Sequence, residues 1–238
     1  MINPELLQKS EKLPHGLIAS PWHTVFVLIV VALNALRAAI FAAHSRSGLG
    51  PNRPMMYLRT VLFELLVLAI VVVGVRLRGA SLQSIFGQRW RSAGQAIRDL
   101  GVGIALWFVA LVVVSMLGSH GGPPDQSIGF LLPHTSFEMA LWVFLSMTAG
   151  VCEEAVFRGY LQGQFTALTN SAPVGIFVSS AAFGVAHAYQ GWSRAVVIAL
   201  SAILFGVVAQ WRGTPRPGMF AHALQDAIAP VLLKLLRH

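Results

Sequence analysis

Long apolar runs alternate with short polar segments along the chain, and this pattern predicts membrane-spanning helices. A span needs about 20 mostly apolar residues, and the runs are too long and continuous for barrel strands. We expect seven spans, near residues 22–43, 57–75, 100–118, 137–157, 172–189, 195–211 and 217–236. A helix over Leu161–Leu168, or a split in another span, would make eight. The predicted fold is an all-α, polytopic integral membrane protein with a single transmembrane domain over residues 22–236.

The composition favours the same fold class. The chain has 238 residues, of which 55% are hydrophobic and 11% charged, whereas a soluble domain has roughly 25% charged residues. The net charge of +8 does not indicate a nucleic-acid partner, because the basic residues lie mostly between apolar runs, where membrane topology places them. Cys152 is the only cysteine, so the sequence excludes an intrachain disulfide framework and a cysteine-based metal site.

The first apolar run is interpreted as a retained span, not a cleaved signal peptide. Acidic and basic residues both precede it, and the run is longer than the roughly 7–15 apolar residues of a signal peptide. Residues 1–21 are therefore expected to form an N-terminal cytoplasmic segment. The small size favours a bacterial protein in the plasma (inner) membrane, crossing it several times.

Basic residues between the spans predict the orientation. The loop over residues 76–98 carries the densest cluster and is expected to be cytoplasmic, with Arg76, Arg78, Arg89, Arg91 and Arg98. Alternation then puts the N-terminus, the Arg158 end of the fourth span, Arg212 and Arg216 on that side. The arginine-free loop 119–136 falls outside, and so, against the rule, do Arg46, Arg53 and Arg59.

Acidic residues inside the spans are the candidates for chemistry, because each costs roughly 2.5–3.5 kcal/mol at the bilayer centre. They are Glu64, Glu153, Glu154 and Asp226, and two histidines of the spans join them, His187 and His222. Glu64 belongs to no motif. We interpret it as a polar pair with Arg37 or Arg59 between helices, with a place in the cavity lining as the alternative.

The adjacent glutamates of GVCEEAVFRGY divide into two roles. Glu154 and Arg158 lie four residues apart, so they share a helix face and can pair. Glu153 is rotated from that face by about 100° and has no local partner, which makes it a candidate general base. In the competing interpretation, both glutamates only solvate a helix end at the cytoplasmic interface.

Two further pairs have the same four-residue spacing. Phe183 precedes His187, and His222 precedes Asp226. The simpler alternatives are an interfacial histidine and a polar pair that joins helices. Because three neighbouring spans each put polar groups on one face, we instead expect one polar cavity inside the membrane, with residues suited to hydrolysis.

These residues resemble a known family. EEAVFR matches E-E-x-x-x-R, FGVAH matches F-x-x-x-H, and HALQD matches H-x-x-x-[N/D], in the order and with the separations of the CPBP family. This family, also called ABI, comprises CAAX proteases and bacteriocin-processing proteins, including the eukaryotic type II CAAX prenyl endopeptidases. The resemblance covers roughly residues 137–230, which would form the catalytic core.

The resemblance implies an intramembrane endopeptidase acting on a membrane-associated or leader-peptide substrate, in contact with membrane lipid and without nucleic acid. Glu153 with His187 would activate the attacking water, and His222 with Asp226 would complete the site by stabilising an oxyanion or binding metal. Glu154 and Arg158 would support them. The prenyl endopeptidases carry Asn where this chain has Asp226, and an ionised carboxylate cannot donate a hydrogen bond to an oxyanion. Asp226 is then protonated, orients His222 or accompanies a metal.

Several alternatives stay open at the level of the sequence. Zn²⁺ or another divalent metal would take His187, His222 and Glu153 as ligands, although H-E-x-x-H is absent. A mechanism without an obligatory metal is preferred slightly. Cys152 with His187 would be a nucleophile pair, but nearby acids disfavour a thiolate. The non-enzyme alternatives are a proton-coupled transporter and a non-catalytic membrane interaction or immunity protein.

Overall fold

Helices make up the regular structure of the described chain. A computed structural model of the protein describes residues 16–47, 52–118 and 129–235, and these ranges contain no strand. The eight helices of the described chain are α1 Pro21–Ser47, α2 Arg53–Leu77, α3 Gln83–Phe86, α4 Ala93–Gly118, α5 Ser136–Thr169, α6 Ala172–Ala186, α7 Trp192–Arg212 and α8 Arg216–Leu235. The all-α, polytopic fold class is confirmed. Most of the predicted N-terminal segment and residues 119–128 of the predicted outer loop lie outside the described residues.

Five helices of the described chain are long and apolar enough to cross a membrane, namely α1, α2, α4, α5 and α7. The predicted fifth span forms α6, which is apolar but has only 15 residues. The predicted seventh span forms α8, which is not among the five because polar residues interrupt its apolar positions. Residues Leu161–Leu168 add no separate span, because they continue α5, which is 34 residues long.

Helix α5 changes its winding directly after the two glutamates. It is an α-helix over Ser136–Glu154, a π-helix over Ala155–Leu161 and an α-helix again over Gln162–Thr169. At the end of the π-helix the Gln162 N–H donates to the carbonyl of Phe157, five residues earlier. That carbonyl also accepts a hydrogen bond of 2.7 Å from the Ser179 hydroxyl on α6. The π-helix is therefore bonded to the neighbouring helix that carries His187 at its end.

Close helix contacts depend on small residues, as is usual in membrane bundles. A Cβ atom added to Gly150 of α5 would lie 2.7 Å from the Met219 carbonyl oxygen of α8. One added to Gly159, in the π-helix, would clash with the Ile85 carbonyl oxygen of α3. These two glycines let α8 and α3 approach α5 closely.

One end of the bundle collects the segments that the orientation argument put together. Arg216 donates to the Gly87 carbonyl at 3.1 Å, and Arg212 pairs with Asp99 at 2.6 Å. The main-chain N–H groups of residues 18 and 19 donate to the Gln164 side chain at 2.9 and 3.2 Å. The loop after α2, the start of α8, the start of α1 and the end of α5 therefore share one end. Which side of the membrane this end faces stays a prediction.

Candidate active site

The six candidate residues of the motifs meet where three helices come together. Glu153 and Glu154 end the first α-helical segment of α5, and Arg158 lies in the π-helix that follows. His187 caps the C-terminus of α6. His222 and Asp226 lie one turn apart on α8, which packs along α5. The structure thus brings together groups that are separated by up to 73 positions in the sequence, from 153 to 226.

Glu153 faces both histidines. Its Oε2 atom lies 3.9 Å from Nε2 of His187 and 3.7 Å from Nε2 of His222. These distances are too long for direct hydrogen bonds, and this oxygen is buried without a hydrogen-bond partner among the described residues. A gap of this size between polar atoms suits one bridging water molecule.

The orientation of His187 is fixed by its own helix. Its Nδ1 lies 2.9 Å from the carbonyl oxygen of Phe183, one turn earlier, and a carbonyl can only accept. Nδ1 therefore carries the proton, and in the neutral ring Nε2 is left as an acceptor facing Glu153. The four-residue spacing of the F-x-x-x-H motif thus sets the tautomer of its histidine.

His222 is held between carboxylates. Its Nδ1 lies 3.2 Å from Oε1 of Glu154, and its Nε2 lies 3.4 Å from Oδ2 of Asp226. Both ring nitrogens thus have an acceptor, so a doubly protonated ring can donate from both positions. Trp142 of α5 donates its indole N–H to the Asp226 main-chain carbonyl at 2.7 Å, which ties this turn of α8 to α5.

Glu154 and Arg158 form the ion pair that their spacing predicts. Arg158 Nη1 lies 2.7 Å from Glu154 Oε1, and the side chains are only 2% and 1% exposed. The guanidinium also lies over two aromatic rings, 4.4 Å from the centre of Phe183 and 5.3 Å from that of Phe205. This pair is sealed inside the protein, beside a cavity of about 50 Å³.

Aromatic rings pack the site together, and the sequence did not indicate their extent. Phe183 lies against the rings of Phe157 at 5.0 Å, His187 at 4.5 Å and His222 at 5.8 Å between centres. Phe205 of α7 contacts His222 at 6.3 Å. Of these contacts only that between Phe183 and His187 is local, so spacing along the chain could not reveal the others.

A cavity of about 370 Å³ opens in front of Glu153, between α1, α2 and α5. Four side chains discussed for chemistry line it: Glu64, Cys152, Glu153 and His187. Most of the remaining lining is apolar and includes Val31, Phe41, Met56, Phe63, Val67 and Leu131. The cavity is thus a largely apolar space whose wall also carries two carboxylates and the guanidinium groups of Arg37 and Arg59, which agrees with the expected polar site inside a membrane.

Glu64 differs from its favoured interpretation. No ion pair joins it to Arg37 or Arg59 in the described part of the chain. Its side chain instead lines the cavity, and its Oε2 is buried without a hydrogen-bond partner within residues 16–47, 52–118 and 129–235. The polar pair between helices was the wrong interpretation. The reason is geometric, because Arg37 bonds Asn34 on its own helix, at 2.8 and 3.2 Å.

The candidate metal ligands do not form a ready coordination sphere. Within residues 16–47, 52–118 and 129–235, no three His, Cys, Asp or Glu side chains are grouped so that they could hold a metal ion. The set of His187, His222 and Glu153 therefore stays a prediction. Cys152 is a free, buried thiol that lines the large cavity.

Comparison with known proteins bears on this part of the chain. Residues 135–228 match the family model described as Type II CAAX prenyl endopeptidase Rce1-like. The match confirms the resemblance to the CPBP family that the three motifs indicated. It runs from the N-cap of α5 into α8, so it includes all six candidate residues and leaves out α1 to α4. No curated protein and no solved structure matches the chain.

Proposed function

We propose that the protein is an intramembrane endopeptidase that hydrolyses peptide bonds of membrane-associated or leader-peptide substrates. The match to a prenyl endopeptidase family implies protease activity. The observation that carries the proposal is the position of Glu153, whose Oε2 lies 3.7–3.9 Å from the Nε2 atoms of two histidines at the wall of an apolar cavity. The substrate would reach this wall from the cavity, in contact with membrane lipid.

Glu153 and His187 activate the attacking water. Glu153 accepts one proton of the water, while the unprotonated Nε2 of His187 accepts the other hydrogen bond and orients the molecule. The water oxygen forms a bond to the carbonyl carbon of the substrate, and the carbonyl π electrons move to its oxygen. Where bulk water is excluded, hydrogen-bonding groups held in fixed positions stabilise the charge of the transition state more strongly than they would in water.

His222 stabilises the resulting oxyanion. Its Nε2–H donates a hydrogen bond to the tetrahedral intermediate, while its Nδ1–H stays bonded to Glu154. As the intermediate collapses, the C–N bond breaks and its electron pair takes the proton from Glu153. The amine product leaves, and the carbonyl re-forms as a carboxylic acid.

Asp226 and the Glu154–Arg158 pair position His222. Asp226 lies 3.4 Å from Nε2 of His222, so it accepts the Nε2–H before substrate binds, and the oxyanion replaces it as the acceptor during the reaction. This proximity favours the role in which Asp226 orients the imidazole, among the three that the sequence left open. Glu154 is held in turn by Arg158, so the charge that faces Nδ1 is fixed by a buried ion pair.

The test is cleavage of a quenched peptide library by detergent-purified protein, with wild type beside Glu153→Gln. Wild type should cleave, and the variant should lose at least about a hundredfold in rate, since it cannot take the proton. Glu138→Gln is the matched control, because it makes the same change at the N-terminus of α5, where glutamine can still complete the capping box with Thr135.

A metal chelator added to each reaction separates the remaining mechanisms. Wild-type activity that survives chelation supports water activation by Glu153 without a metal. Activity lost on chelation would place a metal among His187, His222 and Glu153. Equal cleavage by wild type and Glu153→Gln would contradict the proposal. It would favour the alternatives of a transporter or an interaction protein.

A further inference from the structure

Glu64 extends the polar wall of the cavity onto a helix that the known motifs do not reach. It lies in the middle of α2, outside the residues that match the family model. Its residue is 7% exposed, and its side chain lines the same cavity as Glu153 and His187. An acid at such a place is unfavourable for insertion, so it needs a reason beyond packing.

The fold gives one oxygen of Glu64 nothing to bind. Its Oε2 is buried, and no residue of the described chain donates a hydrogen bond to it. Among the polar residues on this part of the wall, the Thr60 hydroxyl donates to the Met56 carbonyl at 3.0 Å. Arg37 donates to the side-chain oxygen of Asn34, and neither Arg37 nor Arg59 forms an ion pair with Glu64 in the described part of the chain. An acceptor that the protein leaves open, on the wall of a cavity, points to a donor that enters with a ligand.

A peptide bound in this cavity brings such donors. Each of its residues other than proline has a main-chain N–H, and an N–H that leaves water for an apolar cavity without an acceptor is strongly unfavourable. The lining between α1 and α2 is mainly apolar. A carboxyl oxygen on α2 therefore supplies what an extended substrate lacks in that part of the cavity.

We infer that Glu64 is a substrate-binding residue whose carboxyl oxygen accepts a hydrogen bond from a main-chain N–H of the peptide held beside Glu153. This inference rests on the proposed peptidase function and adds to it a contact from the N-terminal half of the chain. Acceptance requires only a lone pair, so the amide oxygen of glutamine can replace the carboxyl oxygen, whereas leucine cannot.

Binding can be measured without turnover in the Glu153→Gln protein. The purified variant is incubated with the peptide library, separated from free peptide, and the retained peptides are quantified by mass spectrometry. We expect Glu64→Leu, added to Glu153→Gln, to lower retention by about 10-fold to 100-fold, because the peptide N–H is then buried without an acceptor. Glu64→Gln should retain within about threefold of the parent variant, because its side chain still accepts.

Thr60→Val is the matched control in the same background. It removes a polar group from the same helix and the same cavity wall, but one whose hydrogen bond is satisfied inside α2. We expect unchanged retention. Size-exclusion chromatography establishes that each variant is folded, and leucine at position 64 removes a buried acid, so it should not impair folding.

The outcomes separate this inference from the proposed function. In the wild-type background Glu64→Leu should raise KM with little change in kcat, because the contact is made equally by ground state and transition state. Retention by Glu64→Leu equal to that of its parent would overturn the inference while leaving Glu153-dependent cleavage intact. Failure of the Glu153→Gln protein to retain any peptide would overturn it as well.

Discussion

Glu153 and Glu154 are neighbours in sequence but lie in two different regions of the molecule. The Glu153 side chain is 21% exposed and lies on the wall of a cavity of about 370 Å³. The Glu154 side chain is 1% exposed and lies beside a cavity of about 50 Å³. In the described part of the chain no donor occupies Glu153 Oε2 on the open side. On the sealed side Glu154 Oε1 is bonded to Arg158 and His222, and only its Oε2 lacks a partner there.

The difference shows how one helix can supply two kinds of carboxylate. A rotation of about 100° per residue places adjacent side chains on different faces. One face of α5 meets the cavity, and the other meets α7 and α8. The acid on the open face is available to a ligand, and the acid on the sealed face is committed to the fold.

The largest effect is expected from removing the cation on the sealed side. Arg158→Met leaves Glu154 buried without its partner, which should lower the free energy of unfolding by about 3–5 kcal/mol. Thermal unfolding in detergent would measure the loss. Glu153→Gln, on the open side, should unfold close to the wild-type temperature.

Arg98→Met makes the same change at an exposed position of α4 and serves as the control. It should leave the unfolding temperature unchanged. If Arg158→Met unfolded at the same temperature as Arg98→Met, the Glu154–Arg158 ion pair would not stabilise the protein. The distinction between a structural Glu154 and an available Glu153 would then be contradicted.

A smaller effect is expected from crowding the sealed side. A Cβ atom on Gly218 would lie 2.7 Å from Oε2 of Glu154 and 3.2 Å from Cδ1 of Phe205. Gly218→Ala should therefore cost about 1–3 kcal/mol and displace the carboxylate that faces His222. Unfolding and cleavage should both decline.

The matched variant is Gly101→Ala on α4, where an added Cβ atom meets nothing within 4 Å. It should be neutral or slightly stabilising, because alanine favours the helix. Full activity and stability of Gly218→Ala would show that Glu154 can move without consequence, which contradicts its assigned role in holding His222.

The smallest effect is expected on the open side, from Cys152→Ala. The thiol lines the large cavity and is not needed by a mechanism that uses water. Loss of one side-chain atom there should cost about 0.5–1 kcal/mol of stability and leave cleavage unchanged. Loss of cleavage by a folded Cys152→Ala protein would revive the thiol nucleophile and overturn the role of Glu153.

Much of the site was predictable because its units are local. The spacing of four residues sets the Glu154–Arg158 pair, the contact of Phe183 with His187 and the placement of His222 beside Asp226. Long apolar runs likewise predict the all-α class, because each run is a property of a single segment of the chain. Neither inference needs knowledge of which helices pack together.

Features that depend on distant contacts were not predictable. Glu64 was misinterpreted because nothing near it in sequence tells which neighbouring helix it faces. The π-helix of α5 was missed because its extra bonding partner, Ser179, comes from α6.

The π-helix of α5 sets how far the half of the helix that follows it is rotated about the helix axis relative to the half that precedes it. The residues before Ala155 set the directions of the glutamates, and those after Leu161 direct Gln164 towards the start of α1. Deleting one residue between them would turn one half against the other by about 100°. The two glutamates and the anchor of the N-terminal segment would then no longer face their partners at the same time. The number of residues between the two α-helical halves of α5 therefore determines the geometry of the site as much as any side chain does.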